Sequence, residues 1–391
     1  MFVRKMVNDW LSDWLPRMHS ARRAILSAVV ATSCLYRVVG IAALGRRLAN
    51  GGSVKHAIKT VDRLMDNRHL HSERTPLYAW LAHFLPGTQT RPLLLLDWSQ
   101  VHPGREQYVL RVAALKKGRA LAIYEEVYRR GRMDKAKTMK TVLANLAQIL
   151  PAGSVPILVM DAGFRNPWFK AIEKHGWHWV ARIRGQVCYQ KRLDKDWQAC
   201  QALHETATAI ARRIGDVRLA KTHPHRCTLH LYKSKSTDSK RHRHRAVSRD
   251  ANVLKAKRRA KEPWVLASSD SLSDLSSQEI VAIYKQRMKI EESFRDTKSH
   301  LGWRFEEMRS YLRHKIENLL IVAAVALFTL TVIGRYAESQ QMQKDYQANT
   351  ETKRRVLSVL KLGWNVVRNR FTFRLALMRQ ALQDMTKVEY A

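Results

Sequence analysis

The sequence predicts an α/β protein: a mixed five-stranded sheet with helices, carrying a β-rich insertion and flanked by helical regions at both ends. Three observations predict it. Two apolar runs of strand length each close on an aspartate, PLLLLD at 92–97 and VPILVMD at 155–161. Two further runs, Gln107–Leu115 and Arg119–Tyr128, read as strands meeting at Lys117-Gly118, and with the first run they form a three-stranded meander. Between that meander and the second aspartate, Met139, Val142, Leu143, Leu146 and Ile149 repeat at helical spacing. A chain of 391 residues suffices for two or three packed units. Changes of texture divide it at 1–88, 89–310 and 311–391, with the insertion at 185–269.

The elements follow in order. Up to residue 88 the chain is rich in helix formers, and Lys55, Lys59, Arg63 and Arg68 interleave with Ile58, Val61 and Leu64. That spacing predicts amphipathic helices with a basic face, suited to a DNA-binding module. The apolar run Ala24–Tyr36 follows Arg22 and Arg23 but has no A-x-A cleavage site and stops at Arg37, so it is expected to be a buried helix and not an export signal. After the meander, its helix and the second aspartate, a short helix at Trp168–His175 and a strand at His178–Ile183 complete a β-β-β-α-β-α-β order. This is the mixed-sheet order of the ribonuclease H fold.

The insertion is patterned more poorly. A strand at Cys227–Lys233 runs into a tract, Lys233–Lys261, that holds 12 lysines and arginines and is expected to be a flexible basic loop ordering on a DNA backbone. A long helix then starts at Ser276, where Glu279 gives capping-box spacing, and is expected to run past Lys298. The remainder is helical. Leu319–Gly334 is uncharged for 16 residues, short of the roughly 20 that a spanning helix needs, and is expected to be a core helix with no membrane partner. Leu357, Leu360 and Trp364 fall at helical spacing and suit either a dimer contact or internal packing.

The chain carries 70 lysines and arginines against 33 acids, a formal charge of +37, which makes nucleic acid the default partner. Its four cysteines lie far apart without a CxxC pair, which argues against a zinc ribbon or a disulfide framework and suits a reducing cytoplasm.

The chemistry concentrates on the long helix. Tyr284, Arg287, Glu291 and Lys298 stand at i, i+3, i+7 and i+14, within a stripe about 60° wide. Ile283, Ile290 and Phe294 form the adjoining apolar stripe, so the polar one borders the buried face. Read alone, this is equally a solvated face with an incidental acid, and aspartates at strand ends are often turn residues. Together, Asp97, Asp161 and Glu291 make an oxygen-rich set suited to Mg2+, with Mn2+ as a substitute. Two such ions about 3.5–4 Å apart would serve in-line displacement at a phosphodiester, with Arg287 and Lys298 neutralising flanking phosphates and Tyr284 donating to one.

The signature Y-x2-R-x3-E-x6-K in YKQRMKIEESFRDTK, with LLLLDWS at Asp97 and LVMDAGF at Asp161, resembles the bacterial DDE transposases of the insertion-sequence-four group, most closely its transposon-ten (insertion-sequence-ten) branch. VDRLMDNRHLH and VARIRG extend the likeness over most of the chain. The resemblance implies a cytoplasmic bacterial enzyme that binds the terminal inverted repeats of its element and pairs two ends as a homodimer on double-stranded DNA. It implies excision by hydrolysis and hairpin formation, followed by strand transfer. It selects Asp97, Asp161 and Glu291 as catalytic, in preference to Glu292, which points about 100° away from Glu291. It also implies that Trp264 stacks on a base flipped out during hairpin formation, against the alternative of a core tryptophan on a strand. Met288 departs from the aromatic residue that some relatives place beside the arginine. A metal-dependent nuclease of the same fold and a catalytically inactive DNA-binding regulator are the alternative functions.

Overall fold

The computed structural model describes residues 2–49, 51–85, 90–116, 119–234, 262–300, 312–348 and 356–387. The basic tract 235–261 and the turn at Lys117-Gly118 lie outside the described residues. The chain forms two compact units, one made of Met1–Ser154 with Met288–Ala391 and the other of Val155–Arg287.

The first unit is built from the helices α1 (Phe2–Trp14), α2 (Ser20–Tyr36), α3 (Ile41–Leu48), α4 (Val54–Met65), α5 (Arg68–Ser72), α6 (Arg74–Phe84) and α7 (Ala136–Ile149), and the strands β1 (Leu93–His102), β2 (Gln107–Lys116) and β3 (Arg119–Arg129). The amphipathic reading of the N-terminal helices holds: Val61, Leu64 and Leu70 are buried while Lys55, Lys59, Arg63 and Arg68 are exposed. Helix α7 buries Met139, Val142, Leu143, Leu146 and Ile149, the five residues whose spacing predicted it. Strands β1, β2 and β3 pair antiparallel in chain order. Strand β1 does not end at Asp97, as its apolar run suggested, but continues to His102, because Trp98, Ser99 and Gln100 go on pairing with Leu110, Val109 and Tyr108. Asp97 is thus a mid-strand residue.

The late helix expected from Leu319–Gly334 runs over Arg313–Ser339 in the structure, 27 residues. By length and composition it could cross a membrane, yet its most apolar 18-residue window is wholly buried. It packs against α2, α4, α6 and β3 and against a later helix, Val359–Arg368. These two helices approach so closely at Gly334 and Gly363 that a Cβ on either would stand 2.0 Å from a backbone oxygen of the other helix. Leu360 is buried in the same packing.

In the second unit β4 (Ile157–Met160) and β5 (His178–Ile183) are parallel, with α8 (Asn166–Glu173) between them in the chain. Among the described residues the expected β-rich insertion holds five strands. They continue the β4–β5 sheet beyond β5, in the order β5-β10-β9-β8-β6-β7, with β6 at Cys188–Lys191, β7 at Gln198–Ala199, β8 at Arg212–Leu219, β9 at His225–Tyr232 and β10 at Trp264–Ser268. The physical reason is that β10 pairs along the free edge of β5, Val265 opposite Ile183 through Ser268 opposite Val180, and so presents an edge on which the rest can build.

His230 on β9 is 3% exposed and shares hydrogen bonds with Ser277 Oγ at 2.9 Å and Ser268 Oγ at 3.1 Å. Burial pushes its imidazole from 6.5 down to about 4. The folded unit holds this ring neutral while the unfolded chain protonates it below about pH 6.5, so the stability it supplies is complete above that pH and is lost as pH falls toward 4, by up to about 3 kcal/mol. Thermal melts at neutral pH and near pH 4 check this; a His230→Gln protein should show a shallower pH dependence than the wild type, and equal dependence would refute the assignment.

The single long helix expected from Ser276 past Lys298 is instead two helices, α9 (Ser277–Lys285) and α10 (Met288–Arg295), followed by a wider π-turn at Asp296–His300. The predicted start is right, since Ser276 and Glu279 form a reciprocal capping box. The interruption comes where the Gln286 and Arg287 amides donate to Ile283 and Tyr284, closing shorter turns than the α-helix, and it coincides with the boundary between the units. The late helices are therefore α11 (Arg313–Ser339), α12 (Val359–Arg368) and α13 (Leu375–Asp384).

Candidate active site

Asp97 on β1 stands directly opposite Arg111 on β2, which stands opposite Glu125 on β3. Residues directly opposite in antiparallel strands share a face, so an acid, a base and an acid form one row across the sheet. Asp97 is half-buried, and its Oδ1 accepts from the Trp98 amide at 2.8 Å. The Arg111 side chain is 1% exposed and donates from Nε to Glu125 Oε1 at 2.8 Å, from Nη1 to Ser293 Oγ at 3.1 Å and from Nη2 to Thr297 Oγ1 at 3.1 Å. Its guanidinium lies 4.1 Å from the centre of the Phe294 ring. Burial pushes the Glu125 carboxyl upward and the neighbouring Arg111 draws it back.

Ser293 and Phe294 belong to α10 and Thr297 to the turn after it, so the helix carrying Glu291 lies across the face that carries Asp97, in contact with β1 and β3. Ile290, Ser293 and Phe294 face the sheet. Glu291 is exposed on the flank, about 60° around the helix from Phe294. Glu292 points about 100° away from Glu291 and sits 3.6 Å from Lys289. The four-residue stripe inferred from sequence is not one helical face: the interruption at Gln286–Arg287 separates Tyr284 from Glu291, and exposed Lys298 lies in the π-turn, where the 100° step no longer applies.

In the second unit Asp161 directly follows β4. Its Oδ1 accepts from the Gly163 amide at 2.8 Å, and a Cβ at Gly163 would stand 2.9 Å from that oxygen, so a side chain there would push the carboxylate aside. Tyr284 is buried on α9 and hydrogen-bonded to Arg287; burial pushes its phenol up, Arg287 and Arg182 pull it down, and Asp161 pushes it up again. The net upward direction keeps it a donor. Trp264 opens β10, half-buried, with ring centres 5.1 Å from Tyr284 and 5.7 Å from Tyr232. Beside Asp161 a cavity of about 550 Å³ has Phe164 and Phe169 in its wall and the cations Arg165, Arg182, Arg184 and Lys221 around it. Arginine and lysine over apolar walls suit a nucleic-acid strand.

Asp97, Glu291 and Lys298 thus fall in the first unit, and Asp161, Tyr284, Arg287 and Trp264 in the second. Among the described residues no three His, Cys, Asp or Glu side chains are gathered closely enough to hold an ion. Carboxylates beside phosphate-binding cations are nonetheless the donor type that Mg2+ and Mn2+ prefer.

The family model described as "Transposase DDE domain" matches residues 89–329, more than half of the chain. The chain belongs to this family. It is accordingly a DNA transposase, from a family of metal-dependent enzymes that cut and transfer DNA strands. No curated protein matches its sequence. Among solved structures it resembles "Cryo-EM structure of piggyBac transposase synaptic complex with hairpin DNA", at 11% identity and a TM-score of 0.42, covering 99% of this chain and 83% of that one. So loose a likeness positions no residue of the transposase.

The sequence reading missed Arg111, Glu125 and the cations around the cavity. The signal for the pair was present: YVLRVAA and AIYEEVY each put charge inside an apolar strand, and charges in such a place are buried in pairs.

Proposed function

We propose that the protein is a cut-and-paste transposase of the insertion-sequence-four group, in which Asp97, Asp161 and Glu291 hold two divalent ions on a ribonuclease-H-like core. The observation that carries the reading is that one transposase domain, residues 89–329, spans all three carboxylates. It is supported by the antiparallel meander, the parallel β4–β5 pair and the seating of the Glu291 helix over the Asp97 row. Mg2+, or Mn2+ in its place, would supply activation of a water or 3′ hydroxyl and stabilisation of the departing oxygen. Asp97 presents its carboxylate from a rigid mid-strand position, Asp161 from a turn locked by Gly163, and Glu291 from a helix flank. Tyr284 and Arg287 contact the phosphates flanking the cut, as does Lys298, and the exposed bases of α4 and α5 bind duplex DNA in the terminal inverted repeats.

Pairing two element ends requires two protein copies, and a homodimer on DNA in the bacterial cytoplasm follows. The domain plan is 1–88 for end binding, 89–310 for chemistry with its insertion at 185–269, and 311–391 as a helical region that supports the dimer.

Incubating the protein with a labelled fragment carrying its own element end, with and without Mg2+, tests the proposal on a denaturing gel. Nicks and hairpins at the element boundary that need the ion are expected; binding without cleavage would instead favour an inactive regulator. Trp264→Ala should leave the first nick at its normal rate and slow hairpin formation roughly tenfold, since stacking on an extruded base contributes about 1–3 kcal/mol. Equal hairpin rates would make Trp264 a core residue only.

A further inference from the structure

We propose that Arg111 is the positioning residue that fixes the Glu291 carboxylate relative to Asp97, acting through Ser293 and Thr297. The proposal rests on the reading of Asp97 and Glu291 as catalytic.

Arg111 is the point where the Asp97 row meets the Glu291 helix. Its register places it next to Asp97 on β2, and its two Nη atoms reach residues 293 and 297, one turn apart on the helix side facing the sheet. A buried guanidinium cannot replace a lost acceptor with water, so each hydrogen bond resists movement of the helix. Two of them, spaced along the axis, oppose both rotation and sliding. Hydroxyl acceptors impose direction as well as contact, whereas an apolar contact at the same places would hold the helix without fixing its rotation.

The anchor is itself supported from behind. Glu125 pairs with Arg111 at 2.7 Å, and the Glu125 backbone carbonyl accepts from Arg74 of α6. Among the described residues Glu125 Oε2 is buried without a hydrogen-bond partner, and Arg111 is the main charge compensating this carboxylate, with Arg74 adding to it. On the helix side, Thr297 takes the Arg111 hydrogen bond and passes its own hydroxyl hydrogen to the Ser293 carbonyl at 3.0 Å, where the helix widens into its π-turn. Such widened turns recur at functional sites. A second clamp from the same strands, Arg119 to Asp296 Oδ2 at 2.8 Å, grips the next position. Glu291, about 160° around the helix from Ser293, is then carried at a fixed angle on the exposed flank. Buried ion pairs are seldom the best source of stability, and an apolar replacement often stabilises more. A positioning role accounts for this pair and its two hydroxyl partners.

The test compares Thr297→Val, which keeps the shape and removes the hydroxyl, with Thr297→Ser, which keeps the hydroxyl, and with Ser293→Ala/Thr297→Val, all in the full chain. DNA binding should match the wild type in each. Single-turnover cleavage should slow roughly tenfold in Thr297→Val and about a hundredfold in the double variant, as expected for displacement of a catalytic group by about 1 Å, while Thr297→Ser stays near wild type. The Mg2+ concentration for half-maximal cleavage should rise with the loss, which a mere fall in the folded fraction would not produce. Hydrogen exchange should quicken in residues 288–298 and stay unchanged in β2 and β3. Wild-type cleavage and Mg2+ dependence in the double variant, or equal losses in Thr297→Ser and Thr297→Val, would overturn the proposal. Glu291→Gln separates the two levels: if it cleaves normally the catalytic reading fails, and if it is inactive while the double variant is normal only the positioning role fails.

Discussion

Proteins carrying Asp97→Asn, Asp161→Asn or Glu291→Gln are each expected to bind element ends normally and to cleave them at least about a thousandfold more slowly. Each change keeps the side chain's shape and removes one unit of negative charge and one good ligand oxygen for a hard cation. A thousandfold corresponds to about 4 kcal/mol of transition-state stabilisation, within the several kcal/mol that metal-assisted charge stabilisation supplies. Glu292→Gln is the matched control: Glu292 points about 100° away from Glu291 and pairs with Lys289 at 3.6 Å, and its loss should change the rate little. Gel-shift binding and single-turnover cleavage on the same preparations make the comparison, and undiminished cleavage by any of the three would remove that residue from the site.

Glu317→Ala is expected to destabilise the first unit by about 3–5 kcal/mol, the largest effect on folding that the structure predicts. Glu317 lies on α11 with its side chain 1% exposed. It accepts from Arg74 at 3.0 Å, from Arg313 at 2.8 Å and from the Val127 amide of β3 at 2.9 Å, joining α6, α11 and the sheet. Removing it strands the largely buried Arg74 charge and a strand amide, and the loss of a partner inside costs more than the pair contributed. Arg74→Met/Glu317→Leu should recover much of that loss by replacing a charged contact with an apolar one. Denaturant titration measures both, and a Glu317→Ala midpoint equal to the wild type would contradict the role of this network.

Much of the fold was legible in the sequence because burial leaves a periodic trace. The five apolar positions of α7, the runs that became β1, β4 and β5, and the Ser276–Glu279 capping box all follow from local rules. What was not legible depends on partners distant in the chain. Nothing at Gln286-Arg287 marks a break, since neither glycine nor proline is there, and the helix divides where the chain passes from one unit to the other. Trp98 to Gln100 lie beyond the apolar run that closes on Asp97, yet they extend β1 because β2 is long enough to pair with them. The strands β6 to β8 carry too little alternation to announce themselves and exist because β10 offers an edge. In the candidate site the three carboxylates were visible as residue types at strand and helix positions. Arg111 was hidden because only strand register reveals that it stands between Asp97 and Glu125.

Strand joining tests the central claim most directly. Purified protein, a pre-cleaved element end with a free 3′ hydroxyl, Mg2+ and a supercoiled target plasmid should yield target molecules covalently joined to the element end, and the Glu291→Gln protein should yield none. Cleavage of element ends without any joined product, under conditions in which the protein binds both DNAs, would make this chain a nuclease and contradict the account.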